Sequence, residues 1–288
     1  MQNLKQLLLI IVCFAATTIS ANAQQDSTGM SGDNFSLQGA LEMFKQASSI
    51  EEFEKLINSS SNNVNNLDLN GDGDVDYIKV IDKAGNNVHA FVLQVAVSET
   101  ENQDIAVIEL EKTGDTTAVL QIVGDEEIFG EQMIVEASDE GDEEVSDSNS
   151  GSGGGPSAVF FEETNRIVVN VFYWPSVRFV HRPAYVPWVS PWRWRHYPGW
   201  WRPWRPLSWH VFHPRRLHYH RHFAIVRTHR VVAAHRVYVP HRVGSVTVRT
   251  RTTVARGNYK VTRTKVTGPR GNTRVKTTVQ KRGRGKRG

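Results

Sequence analysis

A short stretch rich in aspartate and glycine is the strongest candidate for chemistry in this sequence. Residues 68–76, DLNGDGDVD, named here the aspartate loop, carry oxygen-bearing side chains at the first, third, fifth and ninth positions and glycine at the sixth. Alternate residues of a tightly turned loop can direct their oxygens at one centre, and Ca²⁺ takes about six to eight oxygen ligands. The spacing therefore predicts a calcium loop. Its ligands would be the side chains of Asp68, Asn70, Asp72 and Asp76 and the backbone carbonyl of Asp74.

The loop departs from the EF-hand pattern. An EF-hand needs a bidentate glutamate at the twelfth position of its loop, and that position is Lys79 here. The loop resembles instead the D-x-N-x-D-G-x-x-D loop of integrin-type FG-GAP and VCBS repeats, where it joins two strands, and residues 77–81 have strand composition. Because the motif occurs once, the resemblance implies a structural calcium ion without a β-propeller, which needs several copies. A solvated turn without an ion is the alternative.

The chain is divided into an acidic and a basic half. All 30 acidic residues lie at or before Glu163, whereas 28 of the 34 lysines and arginines follow it. The formal net charge of +4 therefore conceals two segments of opposite sign. Such polarity favours charged partners but does not select one of them.

Residues 1–23 have the composition of a secretory signal peptide. Lys5 gives the positive start, residues 7–16 the apolar segment and residues 21–23 an A-x-A cleavage site. We expect secretion across the inner membrane to the periplasm, the outer surface or the medium. The apolar run is shorter than the roughly 20 residues of a membrane-spanning helix. The single cysteine, Cys13, lies in this leader, so we expect a mature chain without disulfides, thiolate metal sites or a thiol nucleophile.

Hydropathy patterns divide the mature chain into four segments. Residues 24–34 are polar, and we expect them to be disordered. Residues 35–137 contain two stretches with helical spacing and then apolar segments of strand length, which predicts an α+β domain with two short helices packed on an antiparallel β-meander. Residues 138–158 are acidic and then rich in serine and glycine, as in a solvated linker. Residues 159–288 are basic and rich in tryptophan, proline and histidine, and we expect a mostly extended or disordered tail.

Two features of the tail and domain sequences refine this division. Residues 244–281 alternate valine or threonine with basic residues, which predicts three short basic strands. Residues 94–101 and 121–127, with their surroundings, resemble an uncharacterised family of secreted bacterial proteins that pair an acidic α+β domain with a basic tail rich in tryptophan, proline and arginine. That resemblance implies the two-part architecture and no particular activity.

Tryptophan, proline and arginine interleave in residues 174–209, as in residues 191–195 and 200–206, and residues 191–206 are named here the tryptophan–arginine segment. Guanidinium groups pair with phosphate, and indole rings stack on bases or lie at a lipid headgroup interface. This composition predicts attachment to an anionic polymer or envelope surface, such as lipopolysaccharide, acidic polysaccharide or extracellular nucleic acid. A low-complexity tail without a dedicated ligand is the alternative. The candidate contact residues are Trp192, Arg193, Trp194, Arg195, Trp201, Arg202, Trp204 and Arg205.

Histidines form two patterns in the basic half. In an extended chain, His218, His220 and His222 would share one face and could chelate Zn²⁺, Ni²⁺ or Cu²⁺, although flanking arginines oppose this. A His-Arg-Val repeat begins at His229, His235 and His241, and its even period would also keep these residues on one face of an extended chain. The broader expectation is that the tail gains charge below about pH 6.

The sequence carries no recognisable catalytic motif. It contains no G-x-S-x-G, H-E-x-x-H or phosphate-loop pattern, and the lone histidine of the acidic half, His89, lies on a predicted strand where a structural role is the commoner one. We therefore expect a non-enzymatic binding protein without a small-molecule substrate. Self-assembly through the opposite charges of the two halves, giving a structural or matrix role, is the alternative, and a hydrolase is a remote third possibility.

Overall fold

The computed structural model describes residues 27–138, 157–161, 168–267 and 273–281. The predicted signal peptide and most of the predicted linker lie outside the described residues. Within the described ranges, no helix combines the length and the apolar character needed to cross a membrane.

Two short helices precede the sheet, as the hydropathy pattern predicts. Each begins after a serine whose side chain accepts a hydrogen bond from a backbone N–H three residues further on, at 3.0 Å for Ser36 and 3.1 Å for Ser49. The helices of the described chain are α1 Leu37–Gln46, α2 Ile50–Ile57, α3 Glu126–Phe129, α4 Pro175–Val180, α5 Trp209–Arg216, α6 Val232–Tyr238 and α7 Val246–Asn258. Residues 31–34, which the sequence places in a disordered stretch, form a 3-10 helix.

The strands form two antiparallel sheets. They are β1 Ile78–Gly85, β2 Val88–Ala96, β3 Asn102–Gly114, β4 Thr117–Gly124, β5 Met133–Ala137, β6 Ser157–Phe161, β7 Phe223–Val226, β8 Tyr259–Thr267 and β9 Thr273–Lys281. The larger sheet has the order β1-β2-β3-β4-β5-β7, and the smaller one has the order β6-β9-β8. Strands β1 to β5 are a meander, so the predicted α+β class with helices on an antiparallel meander is confirmed.

The two faces of the larger sheet differ in chemistry because side chains alternate along each strand. The first face packs against α1 and α2. There the centroid of the Phe44 ring lies 5.2 Å from that of Phe53 and 5.1 Å from that of Phe91. The second face carries a small apolar cluster that includes Val107. It also carries a buried polar row across three adjacent strands, in which Glu109 is paired in register with Gln121 and Gln121 with Glu136.

The basic half contributes directly to the larger sheet. Strand β7 pairs antiparallel with β5, opposite Ile134–Ala137. Residues 188–190 run along the other edge, where the Asp82 N–H donates to the Trp188 carbonyl at 2.7 Å and the Ser190 N–H donates to the Val80 carbonyl at 3.0 Å. Part of the β1 edge is therefore covered by the chain itself, which opposes edge-to-edge pairing with a second molecule.

Residues 244–281 differ from the sequence expectation of three strands. The first of the three is the helix α7, and only β8 and β9 are strands. Ser245 explains the difference, since its hydroxyl accepts the Val248 N–H at 3.2 Å and its carbonyl accepts the Arg249 N–H at 3.0 Å, as at a helix N-cap. Val248 is 2% exposed and packs into the main core, so burial also favours the helix.

Replacing Phe223 tests whether the two halves share one core. Phe223 lies in β7, is 2% exposed and contacts the Trp174 ring edge-on. We expect Phe223→Ala to lower the free energy of unfolding by about 3–5 kcal/mol, measured by urea titration. Far-UV circular dichroism would follow the sheet. Tryptophan fluorescence would follow the basic half, since all eight tryptophans lie between residues 174 and 209.

In Phe223→Ala, the circular dichroism and fluorescence transitions should both move to lower urea concentration by the same amount. The matched control is Val186→Ala, because Val186 is 78% exposed and its truncation should change stability by no more than about 0.5 kcal/mol. A fluorescence transition that shifts while the circular dichroism transition stays in place would show that the basic half is a separate unit.

Candidate cation loop and cationic surface

The aspartate loop is held in a tight turn by its own side chains. The Asp68 carboxylate accepts hydrogen bonds from the N–H groups of Gly71 and Gly73 at 2.6 and 3.0 Å. Asn70 and Asp72 each accept from the N–H two residues on, at 2.7 and 3.0 Å. Gly71 and Gly73 have φ of +77° and +88°, which side chains with a Cβ rarely adopt. The two glycines therefore permit the turn that the sequence predicts.

Asp76 is the buried end of the loop and is 5% exposed. Its carboxylate accepts the Leu69 N–H at 2.5 Å and the Asn70 side-chain N–H at 2.9 Å, and the same Asn70 nitrogen lies 2.9 Å from a carboxylate oxygen of Asp72. Burial raises the pKa of Asp76 to about 7, and the charges of Asp68 and Asp72 add to this rise. A cation at the loop would relieve both effects because it favours the ionised carboxylate.

The five predicted calcium ligands differ in exposure. Asp72 is exposed, Asp68, Asn70 and Asp74 are half-buried, and Asp76 is buried. The structure therefore places all five in one turn that is open to solvent on the Asp72 side. Asp72 is thus the predicted ligand that is most accessible from solvent.

The basic half contacts the aspartate loop at two points. The Val75 N–H donates to the Trp204 carbonyl at 2.8 Å. The Arg251 guanidinium donates to the carbonyl oxygens of Leu69 and Asn70, the second at 3.1 Å. A fixed positive charge therefore lies beside the loop, and it contacts backbone carbonyls rather than the carboxylates. The sequence gives no sign of this contact, because the two partners are far apart along the chain.

Aromatic side chains anchor the tryptophan–arginine segment to the acidic half. Trp201 is 3% exposed, and its ring lies 5.2 Å from that of Tyr77 and 4.6 Å from that of Tyr197. Trp204 contacts Trp201 at 6.1 Å between ring centroids. Of the predicted contact residues, Trp201 is thus part of the interior, and it is not placed to stack on a ligand.

The arginines of the same segment point to solvent. Trp192, Trp194 and Trp204 are half-buried, whereas the four arginines of the segment are exposed. These four are Arg193, Arg195, Arg202 and Arg205. Among the described residues, none of the four forms an ion pair, so their charges are presented at the surface.

Other arginines pair with buried carboxylates at the sheet's end. Arg242 donates twice to Asp125, at 2.7 and 3.1 Å, and Arg249 donates to Glu127 at 2.7 Å. Burial raises the pKa of Asp125 above its usual range even though Arg242 opposes the rise. These arginines balance the charge of buried carboxylates, although both remain in contact with solvent and 58% of the Arg249 side chain is exposed.

Glu54 of α2 is a buried carboxylate with partners from both halves. It accepts hydrogen bonds from the Tyr77 hydroxyl at 2.7 Å, the Val80 N–H at 2.9 Å, the Trp188 indole at 3.0 Å and the Ser190 hydroxyl at 2.9 Å. Burial raises its pKa, and these donors lower it in part. All of its neighbours are donors held by the fold, which fits a structural role.

His89 lies in a comparable setting on β2. Its Nδ1 is 2.9 Å from a carboxylate oxygen of Asp82, which also accepts the Tyr185 hydroxyl at 2.7 Å. The His89 ring is 7% exposed and stacks on Phe91 at 5.6 Å, with His181 against its edge. The group that the sequence left as a remote catalytic candidate is thus enclosed by aromatic rings and one carboxylate.

The histidine tract around residue 220 is compact rather than extended. Residues 217–221 form a 3-10 helix, so His218, His220 and His222 do not share one face. Burial, followed by the nearby Arg216 charge, lowers the pKa of His213 and of His220 to about 4. These two histidines therefore stay neutral in mildly acidic solution and do not contribute to the expected gain of tail charge below about pH 6.

Comparison with known proteins gives no match for this chain. No protein-family model matches it, and neither the curated proteins nor the solved structures include a significant match.

The lowered pKa values of His213 and His220 predict a loss of stability in acid. An unfolded histidine takes up a proton near pH 6.5, whereas the folded ones do so only near pH 4, so their stabilisation is complete above about pH 6.5 and falls towards pH 4. The loss is at most about 1.4 kcal/mol per pH unit for each histidine, and less for half-exposed groups. His220→Gln should make the pH dependence of the unfolding free energy shallower in this window. The exposed His196→Gln is the control, and an equal change in both variants would contradict the assignment.

Proposed function

We propose that the protein is a secreted or envelope-associated, non-enzymatic binding protein. Its acidic sheet domain, stabilised by calcium, holds a cationic segment that attaches to an anionic polymer or envelope surface. The carrying observation is the division within the tryptophan–arginine segment: Trp201 is buried against Tyr77, while Arg193, Arg195, Arg202 and Arg205 are exposed. Lipopolysaccharide, acidic polysaccharide and extracellular nucleic acid all present the phosphate or carboxylate groups that such arginines bind.

Anchoring of the segment supports binding because it reduces the entropy lost on association. A flexible arginine-rich tail would have to order its backbone on each partner, whereas this segment is already anchored to Tyr77 of the acidic half through Trp201. The Arg195 guanidinium lies over the Trp194 ring at 5.5 Å, which further limits its side-chain freedom. The surface is therefore preorganised to present several guanidinium groups at once.

Calcium is proposed at the aspartate loop as a structural ion. The supporting facts are the single turn that carries all five predicted ligands, the raised pKa of Asp76 and the open side at Asp72. An ion there would stabilise the start of β1, since Asp76 lies two residues before that strand. It would also fix the point where Trp204 meets the loop backbone, and thus link the ion to the cationic segment.

Removal of one exposed ligand tests the calcium proposal. We expect the full chain to melt at a higher temperature in Ca²⁺ than in chelator. The free energy of unfolding should rise by about 2.7 kcal/mol when free Ca²⁺ is about 100 times its dissociation constant. Asp72→Ala should abolish the gain. Asp115→Ala, an exposed acid in the turn between β3 and β4, is the charge-matched control and should retain it. Identical melting of the unmodified chain in calcium and in chelator would reduce the loop to an ordinary turn.

Self-assembly through opposite charges remains the alternative function. It requires acidic and basic groups that are available to a second chain. The described pairs of Arg242 with Asp125 and of Arg249 with Glu127 form within one chain, and the covered β1 edge opposes strand pairing between molecules. These contacts favour surface attachment over self-assembly.

Four substitutions test the cationic surface. In the variant with Arg193, Arg195, Arg202 and Arg205 all changed to Gln, we expect weaker binding to duplex DNA and heparin. The slope of log binding constant against log salt for DNA should become shallower by about three to four units, because each phosphate contact contributes about 0.9. Fluorescence anisotropy over a salt series would measure both quantities.

A charge-matched variant controls for net charge. Arg178, Arg215, Arg221 and Arg236 are also exposed but lie outside the segment, and their joint change to Gln removes the same charge. It should leave most of the affinity in place. Equal losses in the two variants would mean that binding is diffuse, and salt-sensitive oligomers of the purified chain without any polyanion would favour self-assembly instead.

A further inference from the structure

A buried glutamate on the second face of the sheet gathers two histidines from the basic half. Glu109 lies on β3, and its side chain is inaccessible to solvent. His235 of α6 has Nδ1 at 2.6 Å from one Glu109 carboxylate oxygen, and His229, just before α6, directs Nε2 at the other. The two imidazole rings are 4.3 Å apart and nearly perpendicular. Among the described residues, this is the only group of three His, Cys, Asp or Glu side chains whose ligand atoms all lie within 4.8 Å of one another.

The chain that carries both histidines is positioned by contacts on either side of Glu109. On β4, Gln121 accepts the Arg230 N–H at 2.7 Å and donates to the Thr228 carbonyl at 2.9 Å. On β3, Glu111 accepts the N–H groups at the start of α6, including that of Ala234 at 3.1 Å. These contacts do not use the histidine side chains, so the three ligand atoms are brought together by the backbone.

The charge balance at Glu109 differs from that of the neighbouring buried acids. Asp125 and Glu127 each have a carboxylate oxygen 2.7 Å from an arginine Nε. Among the described residues, no lysine or arginine pairs with Glu109, and its partners are the two histidines. Imidazole, unlike guanidinium, carries no permanent positive charge, and a buried carboxylate without such a partner is costly. A divalent cation between the three groups would balance it.

We propose that Glu109, His229 and His235 form a Zn²⁺ site. Two imidazole nitrogens and one carboxylate are ligands that Zn²⁺ prefers, and three protein ligands leave a further position for water. The side chains of His229 and His235 are 21% and 28% exposed, so an ion can reach the site from solvent. The ligating atoms are Nε2 of His229 and Nδ1 of His235, and each ring then carries its proton on the other nitrogen.

The site explains the His-Arg-Val repeat in a new way. Its first two histidines converge on Glu109 because α6 brings His235 back over β3, whereas His241 does not join the group. A bound ion would link β3 of the acidic half to α6 of the basic half. Zn²⁺ should therefore also stabilise the folded chain, since an ion that binds only the folded state adds to its stability.

Zinc titration of the full chain tests the proposal. After treatment with chelator and dialysis, calorimetric titration with ZnCl₂ should give one ion per chain, and Co²⁺ should give the visible absorption of a low-coordinate site. His229→Gln and His235→Gln should each weaken Zn²⁺ binding at least about tenfold. His241→Gln is the matched control from the same repeat, and Asp72→Ala tests the aspartate loop. Both should bind Zn²⁺ as the unmodified chain does.

Unchanged affinity in His229→Gln and His235→Gln would overturn the assignment. So would a loss of zinc binding in a variant with His218, His220 and His222 changed to Gln, because it would place the ion in that tract. Circular dichroism and melting without metal verify that each variant folds. Glu109→Gln is an additional variant, and if it unfolds because Glu109 is buried, the two partly exposed histidine variants decide the question.

Discussion

Burial of carboxylates in and beside the β-sheet is the constraint on which the rest of this structure depends. A carboxylate removed from water needs donors or a positive partner, and its ionised form is otherwise strongly disfavoured. The acidic half meets this need in part, as at Asp76 and at Asp82 with His89, but it holds few lysines for its many acids. The basic half supplies further partners, with arginine at Asp125, histidine at Glu109 and indole and hydroxyl groups at Glu54. Charge segregation along the sequence thus becomes charge pairing in the fold.

The same constraint divides the cations of the basic half into two groups. Arg242, Arg249 and Arg251 face the acidic half, where each has a fixed hydrogen-bond acceptor. The arginines of the tryptophan–arginine segment face solvent, and of the tryptophans among them only Trp201 is buried, against Tyr77. The number of arginines in the basic half therefore exceeds the number of unpaired guanidinium groups at the surface. The unpaired cationic surface is smaller than the composition indicates, but its backbone is anchored to the sheet domain through Trp201.

Local periodicity made the helices and strands of the acidic half predictable from sequence. The basic half lacks such periodicity around β7, so its contribution to the sheet was not predictable. The spacing of Leu37, Leu41 and Phe44 and the apolar runs after residue 77 predict the helices and the meander correctly. Strand β7 has only four residues within a histidine-rich stretch, so no alternation marks it as part of the sheet. The direction of Trp201, and the meeting of His229 and His235 at Glu109, depend on contacts between residues more than 100 positions apart. Composition carries no information about such contacts.

The order of strands along the chain has a consequence for how the molecule is made. Strand β5 ends at residue 137 and its neighbour β7 begins at residue 223, so the sheet is completed only after about half of the residues beyond Glu163 have been synthesised. Contacts between such distant segments form slowly because a long loop must close first. During synthesis, the β5 edge and the carboxylates whose partners lie in the basic half therefore wait for those partners. The negative charge of the acidic half opposes association of such unfinished chains with one another.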